Sequence, residues 1–116
     1  MTQTPPWTSR IGIDGETHTV HFAGEIDMAA ADAVRALLIV ELEQPGTTTV
    51  TADLTQLNFI DSAGLGALIN AYSYAREAGQ EFRVTNPAGA VARVMRITGV
   101  FGLLTGTADD LSEGPG

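Results

Sequence analysis

The chain of 116 residues contains no cysteine and no lysine. Without cysteine it has no disulfide, no thiolate metal ligand and no cysteine nucleophile. Without lysine it has no glycine-rich phosphate-binding loop of the kind that ends in Lys followed by Ser or Thr. Thiol chemistry and nucleotide binding through such a loop are therefore excluded.

Positive charge is scarce, since six arginines stand against fourteen acidic residues and the net charge is −8. Nucleic acids and anionic membranes repel such a surface, so neither is expected as a partner. A basic protein surface would be steered toward it, although acidity that only keeps a small protein soluble explains the charge equally well.

Long apolar runs and a basic leader are also missing. The longest apolar run, 33–40, includes Arg35 and is far too short to span a bilayer. Residues 1–7 lack the basic and apolar regions of a signal peptide, so the expected location is the cytoplasm. His18 and His21 lie three apart on a predicted strand and should point to opposite faces, so neither a metal nor a cofactor is expected.

The apolar residues that are present, 44% of the chain, suffice for one core. We expect a single domain over residues 8–105. The flanking tails, 1–7 and 106–116, are rich in Pro, Gly, Thr, Ser and acidic residues and are expected to be loosely ordered.

Hydrophobic periodicity predicts an α/β fold. Apolar residues alternate on both sides of the Asp14–Gly15 turn, which predicts an antiparallel hairpin. Spacings of three and four predict three helices, with stripes formed by Val34, Leu37, Leu38 and Leu42, by Leu65, Leu68, Ile69 and Tyr72, and by Val91, Val94 and Met95. Further strands are predicted around 50–54, 82–84 and 100–104, giving a mixed, mostly parallel sheet of about five strands covered by helices.

The segment 58–66, Asn-Phe-Ile-Asp-Ser-Ala-Gly-Leu-Gly, joins the third strand to the second helix and places Ser62 on a tight, exposed loop. The unpaired N–H groups of a first helical turn can accommodate a phosphate, so we interpret Ser62 as a modification site. Taken alone, Ser62 is also explained as a helix N-cap. Gly64 and Gly66 are expected to be steric requirements of the turn and of close helix packing.

A second loop, 24–28, follows the preceding strand, and Asp27 in it is predicted to cap the first helix. Functional surfaces of open α/β sheets lie outside the carboxyl ends of the strands. If the two strands are parallel neighbours, Asp27, Asp61 and Ser62 share one edge of the molecule.

These motifs together resemble the bacterial anti-sigma factor antagonists, which are built on the STAS domain shared with sulphate-transporter tails. The resemblance covers roughly 11–104 and rests on the order and spacing of Gly24-Glu25-Ile26-Asp27, Asp53-Leu54, Phe59 to Gly66, and Ile97-Thr98-Gly99-Val100-Phe101. It implies a STAS-like fold and a protein that is not an enzyme.

The resemblance further implies a partner-switching phosphoprotein that regulates transcription. The unphosphorylated antagonist would bind an anti-sigma factor that is itself a serine kinase and supplies ATP, thereby releasing a sigma factor. Phosphorylation at Ser62 would end this binding, and a phosphoserine phosphatase would reverse it. The partner-binding residues implied by the resemblance and by the loop are Asp27, Met28, Asp61, Ser62, Ala63, Gly64 and Leu65.

Two departures from the family pattern bear on this interpretation. Many relatives carry a second hydroxyl after the acceptor, whereas Ala63 follows here and leaves Ser62 as the sole acceptor in the loop. Relatives also tend to end in a helix, which the glycine-rich segment 107–116 is expected to shorten or lack.

Two other functions remain open on the sequence. A STAS scaffold or transport-associated interaction module would bind a partner through the same loop without phosphorylation. A serine hydrolase would need a Gly-x-Ser-x-Gly elbow, but Ile60 occupies the first glycine position, which disfavours it.

Overall fold

The structure, a computed structural model, describes residues 5–107 and forms a four-stranded sheet in the order β1-β2-β3-β4. The elements in chain order are β1 (Trp7–Asp14), β2 (Thr17–Ile26), α1 (Ala31–Leu42), β3 (Thr49–Ile60), α2 (Ser62–Glu77), β4 (Glu81–Thr85), α3 (Gly89–Ile97) and α4 (Phe101–Thr105). β1 is antiparallel to β2, whereas β2, β3 and β4 are parallel. The predicted α/β fold with a mixed, mostly parallel sheet is confirmed.

One face of the sheet carries the core. Alternate residues of the two central strands are buried, Val20 and Phe22 on β2 and Val50, Ala52 and Leu54 on β3. The apolar stripes of α1 and α2 pack on this face through side chains that include Val34, Leu38, Leu42, Leu65 and Leu68. The residues between the buried ones are mostly polar and partly exposed, so no described element covers the opposite face of the sheet, which we call the open face.

The strand predicted at 100–104 is wrong, because this segment forms the short helix α4. Within residues 5–107 the sheet therefore has four strands rather than about five. A short apolar run does not distinguish a strand from a buried helical turn. Here Leu104 is fully buried, and the Arg96 guanidinium lies 4.3 Å from the centroid of the Phe101 ring, which holds α4 against α3.

The expected tails lie mainly outside the described residues, so the bounds 8–105 stay a prediction. Trp7 begins β1 and packs on Phe22, with 6.1 Å between the ring centroids. The expectation of a reduced terminal helix falls on residues 107–116, of which only Thr107 is described. Between residues 5 and 107, no helix is both long enough and apolar enough to cross a membrane.

The two histidines lie on opposite faces of β2, as predicted. His18 is buried, and its Nδ1 lies 2.7 Å from Oε1 of Glu41 while its Nε2 lies 3.2 Å from Oγ1 of Thr47. His21 lies on the open face, where its Nδ1 is 2.7 Å from Oδ2 of Asp53. Each imidazole therefore has its own carboxylate partner.

Candidate partner-binding site

The two loops predicted to share an edge do meet there. β2 and β3 are parallel neighbours, and their last residues, Ile26 and Ile60, are partners in the register. Asp27 and Asp61 directly follow these residues, so the parallel pairing places both carboxylates and Ser62 at the carboxyl end of the sheet. This is the position where ligands of open α/β sheets bind.

Asp61 connects the two loops through its carboxylate. Oδ1 accepts a hydrogen bond from the Gly64 N–H at 2.9 Å and so caps α2, while Oδ2 accepts one from the Met28 N–H at 3.0 Å. The Asp61 N–H donates to the Ile26 carbonyl at 3.3 Å. Asp61 is therefore the N-cap, and the alternative that Ser62 serves as the cap is wrong because Ser62 is the first helical residue.

Asp27 caps a turn rather than a helix. Its Oδ1 accepts hydrogen bonds from the N–H groups of Ala29 at 2.9 Å and Ala30 at 3.3 Å. α1 begins only at Ala31, and its N-cap residue Ala30 has no side-chain oxygen to offer. The predicted helix cap is thus corrected to a cap of the turn before α1, which shapes the loop that carries Met28.

The residues expected to bind a partner divide into a surface set and a supporting set. Asp27 and Ser62 are exposed, Met28 is 78% exposed, and Ala63 is partly buried. Leu65 is only 2% exposed, so its side chain supports the loop from the core and takes no part in the surface.

Gly64 belongs to the supporting set for a steric reason. A Cβ at this position would lie 2.7 Å from Cγ1 of Ile60 and 2.8 Å from the Ile26 carbonyl oxygen. The expectation for Gly66 is wrong, because a Cβ there would meet no atom of the described residues within 4 Å beyond the backbone of its own helix. α2 therefore approaches the strand ends closely at Gly64, whereas Gly66 faces open space.

A shallow groove of about 350 Å³ lies between the first turns of α1 and α2, beside Ser62. It is lined by Met28, Ala31, Asp32, Arg35, Ala63, Gly66, Ala67 and Asn70. Sequence reasoning missed the contribution of α1 and of Asn70. The groove could have been indicated by the small residues at spacings of three and four along α2, because small side chains project little from the surface of a helix.

A separate polar cluster occupies the open face of the sheet around Asp53. Burial raises the pKa of this carboxyl, but hydrogen bonds from Thr55, Asn86 and His21 outweigh it and hold the pKa well below its usual range. Asn86 has a left-handed backbone, φ 58°, and its side chain donates to Oδ1 of Asp53 at 3.0 Å. Asp53 thus holds the turn between β4 and α3 and is far along the sheet from Ser62.

The fold and this edge define a small α/β domain with an exposed hydroxyl on the first residue of a helix that a carboxylate caps. The chain belongs to the STAS domain family, whose model matches residues 10–114. Sequence relatives include the anti-sigma F factor antagonist of Paenibacillus polymyxa, which is 27% identical over 85 residues, or 73% of each chain. The anti-sigma-B factor antagonist of Bacillus subtilis is 28% identical over 81 residues, covering 70% of this chain and 72% of the relative.

Solved structures show the same fold. The unphosphorylated form of the anti-sigma factor antagonist SpoIIAA matches with a TM-score of 0.72 and 23% identity, covering 92% of this chain and 97% of that chain. The phosphorylated form of SpoIIAA from Bacillus matches with a TM-score of 0.66 and 21% identity, covering 91% of this chain and 100% of that chain. These relatives are named as antagonists of anti-sigma factors and not as enzymes, in agreement with the sequence prediction that this chain is not an enzyme.

Proposed function

We propose that this chain is an anti-sigma factor antagonist of the cytoplasm, which binds an anti-sigma factor kinase and releases a sigma factor. Phosphorylation at Ser62 ends the binding, and a phosphoserine phosphatase reverses the modification. The observation that carries the proposal is the exposed Ser62 hydroxyl on the first residue of α2, beside a carboxylate that fixes both loops of the site. The curated relatives named as anti-sigma factor antagonists supply the class of partner.

The position of Ser62 suits a kinase substrate. The residue is exposed at the start of a helix, where a kinase reaches the hydroxyl without unfolding the domain. The next residue, Ala63, offers no competing hydroxyl, so phosphate would be added at one position of the first turn of α2.

The docking surface proposed around Ser62 combines an apolar projection with a groove. Met28 stands out at 78% exposed, and the groove between α1 and α2 begins at its side. Asp27 and Asp61 already accept hydrogen bonds within the chain, so their main contribution is to hold Met28 and Ser62 in place. The partner would bury Met28 and cover the hydroxyl.

A phosphate on Ser62 would oppose this binding through charge and bulk. It brings about −1.5 to −2 charges next to Asp61. At about 5 Å, two unit charges interact by about 3 kcal/mol at an effective dielectric constant near 20, but by only about 0.8 kcal/mol in bulk water. The first value corresponds to roughly a 200-fold change in affinity and the second to about fourfold, so a strong switch requires that the partner excludes water from Ser62.

The free protein should keep its fold after phosphorylation. The N–H groups of the first turn of α2 favour an anion, which offsets part of the new charge. Amide NMR shifts are therefore expected to be confined to residues around Ser62 and to the neighbouring loop at Met28. Shifts throughout the sheet would contradict a local mechanism.

The modification is tested by incubating the protein with candidate anti-sigma factor kinases of its source organism and ATP, followed by intact-mass measurement. One phosphate is expected on the wild type and none on Ser62→Ala. Ser73→Ala is the matched control, because Ser73 is also an exposed serine of α2 and should leave the phosphate in place. A phosphate that persists in Ser62→Ala would refute the assignment.

The effect on binding is tested by titrating the same anti-sigma factor with Ser62→Asp and with its control Ser73→Asp. Ser62→Asp should weaken binding at least fourfold, the value expected even if water remains at the interface, whereas Ser73→Asp should bind as the wild type does. Equal binding by both variants, together with no phosphorylation, would support a STAS scaffold or transport-associated module instead.

A further inference from the structure

The outer edge of β1 is unpaired among the described residues. β1 pairs with β2 on one side only, and it runs for eight residues without a register shift. Within this strand, Ile11 is 40% exposed and Ile13 is 67% exposed. Open edges of this kind are normally protected by charged side chains, proline or a bulge. Between Trp7 and Asp14, β1 has no proline and no bulge, and its charged residues are Arg10 and Asp14, one of each sign.

The two faces of β1 differ in chemistry. Ile11 is the register partner of buried Val20, so Ile11 and Ile13 lie on the face that the helices cover. Arg10 and Asp14 alternate with them and lie on the open face. An added strand would therefore have to present apolar side chains on one face and charges of the opposite sign on the other.

We propose that the partner of this edge is a second copy of the same chain, paired antiparallel with β1 about a two-fold axis at Gly12. In this register Ile11 of each copy lies opposite Ile13 of the other, and Arg10 of each copy lies opposite Asp14 of the other. The two sheets then form one continuous sheet of eight strands. The interface is isologous, so every favourable pair occurs twice.

The hydrogen-bonding groups of β1 agree with this register. The hairpin has a two-residue loop with Gly15 at φ 61°, which is typical of a type II′ turn, so Asp14 and Thr17 exchange backbone hydrogen bonds. Alternation along the strand then directs the N–H and C=O groups of Ile11 and Ile13 outward. These are the groups that bond to each other across the proposed axis.

Other two-fold registers of β1 match less well. An axis at Ile11 places Arg10 opposite Gly12 and Asp14 opposite Thr8. An axis at Arg10 places the two copies of Arg10 opposite each other. Only the axis at Gly12 pairs both charges with opposite charges while remaining within the strand.

The proposed dimer leaves the Ser62 site accessible. Asp14 is paired with Thr17 at the start of β2, whereas Ser62 follows the carboxyl ends of β2 and β3 at the other end of the sheet. An edge contact of this kind is smaller than a standard stable interface, so we expect a weak and concentration-dependent dimer. Dimerisation should be measured at physiological salt, which screens the repulsion between two copies that each carry a net charge of −8.

The register is tested by charge reversal and sedimentation equilibrium over a concentration series. Arg10→Glu places two acids opposite each other, and Asp14→Arg places two arginines opposite each other, so each variant alone should dimerise at least about tenfold more weakly. An equimolar mixture of the two variants restores opposite charges at both pairs and should form a heterodimer. The double variant Arg10→Glu/Asp14→Arg should regain the homodimer.

Arg93→Glu is the matched control for Arg10→Glu, since Arg93 is an exposed arginine of α3 and its reversal changes the net charge by the same amount and sign. This control should dimerise as the wild type does, and circular dichroism should show that all variants remain folded. A wild type that stays monomeric throughout the series would overturn the proposal. So would a dimer that survives in Arg10→Glu, or a mixture of the two reversals that stays monomeric.

Discussion

Gly64 and Gly66 lie two residues apart in the same helix, yet alanine at each should change stability in opposite directions. Both substitutions gain about 1 kcal/mol of helix propensity, because glycine is the more flexible residue in the unfolded chain. At Gly66 no described residue outside the local helix backbone lies within 4 Å of the new Cβ, so the gain should be kept. Gly66→Ala is therefore expected to stabilise the protein by up to about 1 kcal/mol.

At Gly64 the gain is outweighed by overlap. The new Cβ would lie 2.7 Å from Cγ1 of Ile60 and 2.8 Å from the Ile26 carbonyl oxygen. That carbonyl accepts the hydrogen bond from the Asp61 N–H, so it cannot move without disturbing the cap of α2. Overpacking costs about 1 to 3 kcal/mol, and a backbone obstacle places the cost toward the upper end. Gly64→Ala should destabilise by about 2 kcal/mol after the propensity gain.

Urea denaturation followed by circular dichroism measures both effects in one series. The two variants should differ by about 3 kcal/mol, which for a domain of this size corresponds to roughly 10 °C in melting temperature. If Gly64→Ala proved as stable as Gly66→Ala, α2 would not approach the strand ends as closely as the structure shows. Close packing at Gly64 would then not be what holds Ser62 in place.

Three further predictions concern the polar contacts. Asp61→Ala removes the cap of α2 and the acceptor for the Met28 N–H, so it should cost about 1 to 3 kcal/mol of unfolding free energy in a urea titration. His18→Leu leaves Glu41 buried without its partner and should lower the unfolding free energy by about 3 to 5 kcal/mol. The double variant His18→Leu/Glu41→Leu should lower it by less, and a double variant less stable than His18→Leu would contradict this. Because the pKa of Asp53 is lower in the folded than in the unfolded state, the Asp53 carboxylate stabilises the fold above pH of about 4, and this stabilisation declines as the pH falls below that value. The stability gap between wild type and Asp53→Ala in melting curves should therefore narrow on acidification, and a constant gap would exclude the charge as its source.

Much of the fold follows from local pattern. The hairpin at Asp14–Gly15 and the stripes of α1 and α2 were predicted because alternation and three-four spacing report directly which side of an element is apolar. The strand predicted at 100–104 is wrong because this segment is too short for periodicity to distinguish a strand from a helix. Five residues, four of them apolar, carry too little periodicity. Leu104 is fully buried and α4 contacts β4 and α2, so packing against remote segments determines that these residues form a helix.

The candidate site likewise has features that the sequence predicts and features that only the structure shows. The chain order placed Asp27, Asp61 and Ser62 at one edge, since consecutive parallel strands end on the same side of a sheet. It could not show that Asp61 bonds to Met28, 33 residues away, or that Asp27 caps a turn and not α1. Those contacts depend on how two loops meet after the strands have paired.

Spacing along the chain was enough to predict the layered α/β architecture, the strand-to-helix junction at Ser62 and the family pattern, because each depends on neighbours in sequence. The loop predicted at Ser62 is instead the first turn of α2. The packed molecule alone distinguishes Gly64 from Gly66, brings α1 and α2 together as a groove and leaves one edge of β1 unpaired among residues 5–107. Such features depend on distances between segments that are remote in sequence, and hydrophobic periodicity carries no information about those distances.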